Sequence, residues 1–402
     1  MTLGLVALAR AIPNWLDLAA AFTAPGPNTV GEAGKVYFAH RIQTGLPAFA
    51  DAGAPPYYPS FHGALLHATV GYLGKLLDAS ISQLYPVGRW ISLGLTLSAV
   101  GLMTGLGRAL RLPPVGVGVT LILWSSCYAL LHHSVSYRPD NWLLAVGALA
   151  CWLMVARGER RSTLVILAVL PAVGFHLKAT ALVMVAAIGL AHLLQGKWRR
   201  AILLGLVQIG IIGASVAILD GLTDGAYLAG LRGAGGVPGG PRYLLVSLFA
   251  AGPLAAIWLF GPLVLGTFSR RAAVGDTESR ALVVVASFWL VTLVGYGLAA
   301  MRAGSYAYYF LEPASFGALL VVHAVRALSP GEGGAPHRTA AAATVLAAML
   351  VLAVPMVARY AEGARGITMA QVRTERLASH REALAARVND REATCYSDDP
   401  GL

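Results

Sequence analysis

The sequence predicts an all-α polytopic membrane protein of about eleven transmembrane helices, with interfacial helices in its first outward loop. Three observations carry that prediction. Of the 402 residues, 57% are hydrophobic and only 12% charged, too apolar for a soluble domain. Apolar runs approaching the roughly 20 residues that a spanning helix needs recur along the chain. Lys and Arg crowd alternate connections, the bias expected of cytoplasmic loops. The net charge of +11 belongs to those loops rather than to a nucleic-acid surface.

Taken in order, the first apolar segment, residues 3–22, is broken by Arg10, Pro13 and Asp17 and lacks a small-residue cleavage site, so it reads as a short, retained first helix. Residues 23–86 form the first outward loop, longer than a connection between neighbouring helices requires. Within it GEAGKVYFAHRIQTG, residues 31–45, is amphipathic, with Val36, Phe38, Ala39 and Ile42 available to the membrane. The run PPYYPSFHGALLH turns the chain at Pro55, Pro56 and Pro59 and enters residues 61–79. That segment carries His62, His67, Lys75 and Asp78, while Leu65, Tyr72, Leu76 and Ala79 share one helical face. It therefore reads as a helix lying in the interface rather than crossing.

The remaining spans are expected at 87–107, 114–131, 140–156, 162–175, 179–195, 201–219, 243–267, 281–300, 308–325 and 339–358. The pair 162–175 and 179–195 competes with a single helix broken by Pro171 and the step His176, Leu177, Lys178. Arg157, Arg160 and Arg161 precede it, and Lys197, Arg199 and Arg200 follow it. Both clusters belong inside, which two short passes satisfy and one does not. The other inward loops hold Arg108 and Arg111; Arg270, Arg271 and Arg280; and Arg326 and Arg338. Outward connections carry only Arg138, Lys178, Arg232 with Arg242, and Arg302. The N-terminus is then cytoplasmic, the C-terminus outside, and the protein sits in the inner (plasma) membrane of the cell. Residues 1–358 make one transmembrane domain. Residues 359–402 read as the start of a soluble domain outside the membrane; ending where they do would leave a strand unpaired, so the natural chain is expected to be longer. Cys127, Cys151 and Cys395 are odd in number and far apart, neither a disulfide framework nor a metal spacing. No internal repeat is evident.

This topology places the unusual residues on the outward face. Charged groups at membrane depth are costly and default to function, although each has a plainer reading. Glu32 lies in a first helical turn, where an acid favourably meets the helix dipole. Arg138, Pro139 and Asp140 open a helix, and capping alone accounts for Asp140. Lys178 occupies a short turn and snorkels to the interface on its plainer reading. Arg302, Tyr306, Tyr308, Tyr309 and Glu312 cluster in MRAGSYAYYFLEP, where the tyrosines suit either an aromatic belt or stacking on a sugar. There is no HExxH, Walker loop, paired-cysteine ligand set or GxSxG, which removes metalloprotease, ATPase and simple serine-hydrolase chemistry. No metal-binding residues are indicated.

At these residues the chain resembles the integral-membrane GT-C glycosyltransferases, in particular family-39-like enzymes related to protein mannosyltransferases and aminoarabinose transferases. The resemblance rests on GEAGKVYFAHRIQTG, PPYYPSFHG with Tyr58, the YRPD step, the lysine of GFHLKAT, and GSYAYYFLEP. It departs from the family where Gly31 and Glu32 stand for the usual Asp or Asp-Glu pair, and in the largely missing soluble domain. The resemblance implies a polyprenyl-phosphate sugar donor, a lipid, glycan or protein acceptor, and inverting in-line transfer without a covalent intermediate. Some members of this fold use a divalent cation and others none.

A phosphate leaving group needs fixed cations more than a general acid. Arg138 and Lys178 are the first candidates, with Arg89 and Arg302 behind them. Glu32 takes the position of the base; Asp140, Tyr58, Tyr306, Tyr308, Tyr309 and Glu312 are candidates for sugar or acceptor contacts. The competing classes are a secondary transporter or flippase of lipid-linked sugars, which would want mid-membrane ionisable groups and repeated halves, a surface-polysaccharide ligase or polymerase, and a non-catalytic scaffold.

Overall fold

A computed structural model describes residues 22, 26–27, 32–49, 62–125, 136–233, 239–251, 259–262, 276–302 and 307–327. Most of the expected span 3–22, the span 339–358, the far end of 114–131, residues 252–258 and 263–267 of the span 243–267, and the segment 359–402 lie outside the described residues.

The described chain is helical. Two short helices, α1 (Glu32–Gln43) and α2 (Ala64–Leu76), precede α3 (Leu84–Ala109), α4 (Pro114–Ser125) and α5 (Pro139–Ala156). Then come α6 (Arg161–Phe175), a 3-10 turn (Ala179–Ala181) running into α7 (Leu182–Leu194), α8 (Trp198–Leu222), α9 (Ala226–Gly233), α10 (Pro241–Ala251), α11 (Asp276–Ala299), and a 3-10 turn (Ala307–Phe310) leading to α12 (Leu311–Ala327). Among these residues the only β pairing is an isolated bridge between Gly239 and Arg302.

Five described helices are long and apolar enough to cross a membrane: Leu84–Ala109, Pro139–Ala156, Trp198–Leu222, Thr277–Ala299 and Ala307–Arg326. The protein is a helical membrane protein. Its surface agrees with that class: α8 exposes Ile202, Leu203, Leu206, Ile209 and Ile218, a continuous apolar stripe that water would not tolerate.

Helix α5 is the axis of the bundle. Apolar on every side, it is buried along most of its length, from Asn141 and Trp142 to Met154 and Val155, as expected of a helix without a polar face. It packs on α3, α6, α11 and α12, and Leu144, Ala148, Cys151 and Val155 join the main apolar core. Pro139 opens it at a position where the missing N–H is harmless, and Arg138, extended, stands just before.

The expected break between 162–175 and 179–195 is present at His176, Leu177 and Lys178. Glu159, just before α6, pairs with Lys197 at 2.6 Å and with Arg200, beyond the end of α7. The start of α6 and the end of α7 thus lie together, so the two helices form a hairpin.

The first loop brings a correction. Residues 32–43 and 64–76 are helices as expected, but Val36, Phe38 and Ala39 do not face the membrane; they are 1%, 5% and 0% exposed. Helix α1 spends this face on α2. The approach is close because Gly71 faces it: a Cβ there would sit 2.6 Å from the Ala39 carbonyl oxygen and 2.8 Å from Ile42 Cβ. The outer side of α2 keeps the apolar residues Leu65, Tyr72 and Leu76 exposed, three of the four that share a face in the sequence; Ala79 is buried instead.

Candidate functional site

Several charged residues far apart in sequence meet at one end of the bundle. Glu32, in the first turn of α1, is fully buried. Its Oε2 accepts a hydrogen bond from Arg89 Nη2 at 2.8 Å, and Oε1 accepts from Arg89 Nε at 3.4 Å and from the Tyr137 backbone N–H at 2.9 Å. Arg89, on the second turn of α3 and 1% exposed, also donates to the Gly26 carbonyl and, at 3.4 Å, to that of Phe22. One guanidinium therefore binds Glu32 and the chain just before it.

A second buried pair stands beside the first. Asp140 Oδ1 accepts from Lys178 Nζ at 2.7 Å, with both side chains below one-tenth exposed. This bond joins the start of α5 to the turn between α6 and α7. Tyr308 and Tyr309, in the 3-10 turn before α12, lie 4.9 Å apart by ring centroid. Lys178 Nζ is 3.9 Å from the centre of the Tyr309 ring and 4.9 Å from that of Tyr308, and the Arg138 guanidinium carbon is 4.3 Å above Tyr308. The tyrosines thus form an aromatic floor for two cations.

Glu312 lies one residue into α12, 4% exposed, and accepts from the Tyr296 hydroxyl at 2.7 Å. It faces Gly147 of α5, where any Cβ would run into its carboxylate; that glycine makes room for the acid. Arg302 is exposed, its backbone paired with Gly239, unlike the buried cations. Tyr58 and Tyr306 lie outside the described residues.

Two features of the site are not evident from the sequence. Lys35, one turn beyond Glu32 on α1, is 4% exposed and feels the charges of Arg138, Lys178, Asp140 and Glu32. Burial, with the neighbouring Arg138 next in weight, pulls its amine down to about 7. On the facing helix His67 is fully buried, its ring 5.1 Å from that of Phe38, and burial lowers it to about 3. His62, at the edge of the same group, is held well below its usual range, first by burial and then by Lys35 and Lys178. The signal for Lys35 was its spacing: a lysine three residues after Glu32 shares its helical face.

Below this end, a small apolar cavity lies between α3, α4, α5 and α12, lined by Ala99, Met103, Val117, Leu144 and Leu319, with Thr96, Thr120 and Ser315 as its polar members. Thr96 lies seven residues after Arg89 and Leu144 four after Asp140, so the cavity begins roughly 6–10 Å deeper than the charged groups. Among the described residues, no three His, Cys, Asp or Glu side chains converge as metal ligands.

The site therefore consists of two buried acid–base pairs, two further cations and an aromatic floor, set over an apolar cavity. Such an arrangement can hold an anion whose body is apolar. Compared with family models, with curated proteins and with solved structures, the chain shows no significant match in any of the three.

Proposed function

We propose that the protein is a glycosyltransferase that moves a sugar from a polyprenyl-phosphate donor to an acceptor hydroxyl at the outer face of the cell's inner (plasma) membrane. The proposed topology has about eleven spans, with the N-terminus inside and the charged end of the bundle outside, because Lys and Arg crowd the opposite loops. The observation that carries the reading is the cavity below the cations: a phosphate at Arg138 and Lys178 would have its lipid chain running into apolar space between the helices.

The steps follow from the chemistry of a phosphate leaving group. Attack of the acceptor hydroxyl at the anomeric carbon, in line with the departing phosphate, inverts configuration. Charge grows on the phosphate oxygen, where Arg138 and Lys178 stabilise it in a site shielded from water. Asp140 holds Lys178 in place. Glu32 takes the acceptor's proton. In the resting site its carboxylate is tied to Arg89, so it becomes an effective base when the incoming phosphate draws Arg89 away.

The test is transfer from a radiolabelled polyprenyl-phosphate sugar pool in membranes holding equal amounts of wild type, Glu32→Gln or Lys178→Ala. Transfer should drop about 10²–10⁴-fold on loss of the base and about 10²–10³-fold on loss of the cation. Transfer at the wild-type rate by Glu32→Gln would move the base elsewhere. Absence of transfer by the wild type with any donor would favour a second reading, transport of lipid-linked sugars. One observation speaks for transport: Glu312, an ionisable group buried within a spanning helix and hydrogen-bonded to Tyr296, is the kind of residue that marks a pathway.

A further inference from the structure

His176 takes no part in the transfer described above, yet it stands two residues before Lys178, where α2, α8 and α9 meet the turn between α6 and α7. Its Nδ1 lies 2.8 Å from the Tyr227 hydroxyl of α9, and its Nε2 lies 2.7 Å from the Ser215 hydroxyl of α8. The partners order the protons. Ser215 gives its single proton to the Ile212 carbonyl at 2.9 Å, so it accepts from the ring, and Nε2 carries the imidazole proton. Nδ1 is then an acceptor, to which the fully buried Tyr227 donates. The Tyr227 oxygen in turn takes the Ala64 backbone N–H. One directed chain of hydrogen bonds thus runs from the first turn of α2 through Tyr227, His176 and Ser215 to the backbone of α8. It is complete only for a neutral ring, because an imidazolium has no acceptor. Burial pulls the His176 pKa down and favours that form.

The same junction fixes the backbone beside Lys178. Gly63, at the N-cap of α2, has no side chain to cap the helix, and the opening amides turn to the α6–α7 connection instead. Gly63 N–H donates to the Leu177 carbonyl at 3.2 Å, and Leu65 N–H donates to the His176 carbonyl at 3.0 Å. Lys178 reaches toward α5 and the turn before α12, with its amine on Asp140 and the two tyrosines. A flexible four-carbon side chain delivers its charge to a set point only when its backbone is held. The His176 ring is the part of that hold supplied by α8 and α9.

We propose that His176 is a positioning residue for Lys178: hydrogen-bonded as a neutral ring to Tyr227 and Ser215, it anchors the turn so that the lysine amine meets a phosphate entering the site. The inference rests on the phosphate-lipid reading and extends the site's machinery to α8 and α9.

The experiment measures binding of dodecyl phosphate and, separately, inorganic phosphate to the purified full chain in detergent at pH 8. Tyr227→Phe and Ser215→Ala each delete one hydrogen bond and keep most of the side-chain volume, whereas His176→Phe deletes both bonds. Each single deletion should weaken phosphate binding about 2- to 12-fold, the worth of one hydrogen bond, and His176→Phe should weaken it more than either. The deciding step repeats Tyr227→Phe in a Lys178→Met background. A residue that acts through Lys178 has nothing left to act on there, so the loss should shrink to within the roughly twofold scatter of independent sites. Structural damage alone would weaken both backgrounds by the same factor. That result, or unchanged binding in all three variants, would overturn the role of His176 and leave the phosphate site standing. Absence of binding of either probe by the wild type would overturn the site and the role of His176 together. The same coupling with inorganic phosphate, and no gain from the dodecyl chain, would support His176 with a soluble phosphate as the ligand, against the lipid donor.

Discussion

The two ends of the bundle use the same residue types in opposite ways. At the site end, Glu32 with Arg89 and Asp140 with Lys178 are each less than one-tenth exposed. At the opposite end Glu159 meets Lys197 and Arg200 with every partner about a third or more exposed, and Glu278, itself 10% exposed, meets Arg111 and Arg326, which are 62% and 28% exposed. The exposed pairs tie connections together: Glu159 closes the α6–α7 hairpin, and Arg326 also donates to the Leu110 and Arg111 carbonyls. Each of them contributes little. The buried pairs sit where desolvation is expensive and attraction is weakly screened, which suits a site meant to receive a charge. Exposure of the cations, not pairing, separates the two ends.

The largest effect should come from breaking a buried pair. Arg89→Met strands the Glu32 carboxylate and should cost about 3–5 kcal/mol, read as a fall in the thermal unfolding midpoint in detergent, with partial recovery when Glu32→Gln is added. A midpoint unchanged by Arg89→Met would erase the distinction between the two ends. Next is Gly147→Ala, which drives a methyl into Glu312 and should cost about 1–3 kcal/mol; if Glu312 can swing aside, the midpoint will hold. The smallest effect should come from Glu159→Gln, about 0–1 kcal/mol and vanishing at high salt. Its carboxylate is held down to about 2 by Arg200 and Lys197. The tie is therefore fully present above about pH 4.5 and lost as pH falls toward 2, a window a pH series of the same measurement would reveal.

Helix positions were legible in the sequence because apolar runs, prolines at helix starts and basic loops each act locally. Pro139 and the basic residues flanking 162–195 are examples. The pairings were not legible. Glu32 and Arg89 are 57 residues apart, and Asp140 and Lys178 are 38; in the sequence Arg89, Arg138, Lys178 and Arg302 look like equivalent cations. Only packing shows that Arg89 is engaged by Glu32 while Arg302 is exposed. Lys35 was hidden for a related reason. Which face of α1 is buried depends on Gly71 opposite it, and one amphipathic segment alone assigns that face to the lipid.

The hairpin has a mechanical consequence for the bilayer. Helix α6 has 15 residues and rises about 22 Å, well short of the roughly 30 Å hydrocarbon layer. On the two-pass topology lipids beside the hairpin must compress to match it, at a cost of fractions of a kcal/mol per Å. The headgroup plane then dips toward the turn that carries Lys178. A lipid phosphate would reach that amine along a dimple in the membrane surface, with little of its chain lifted out of the bilayer.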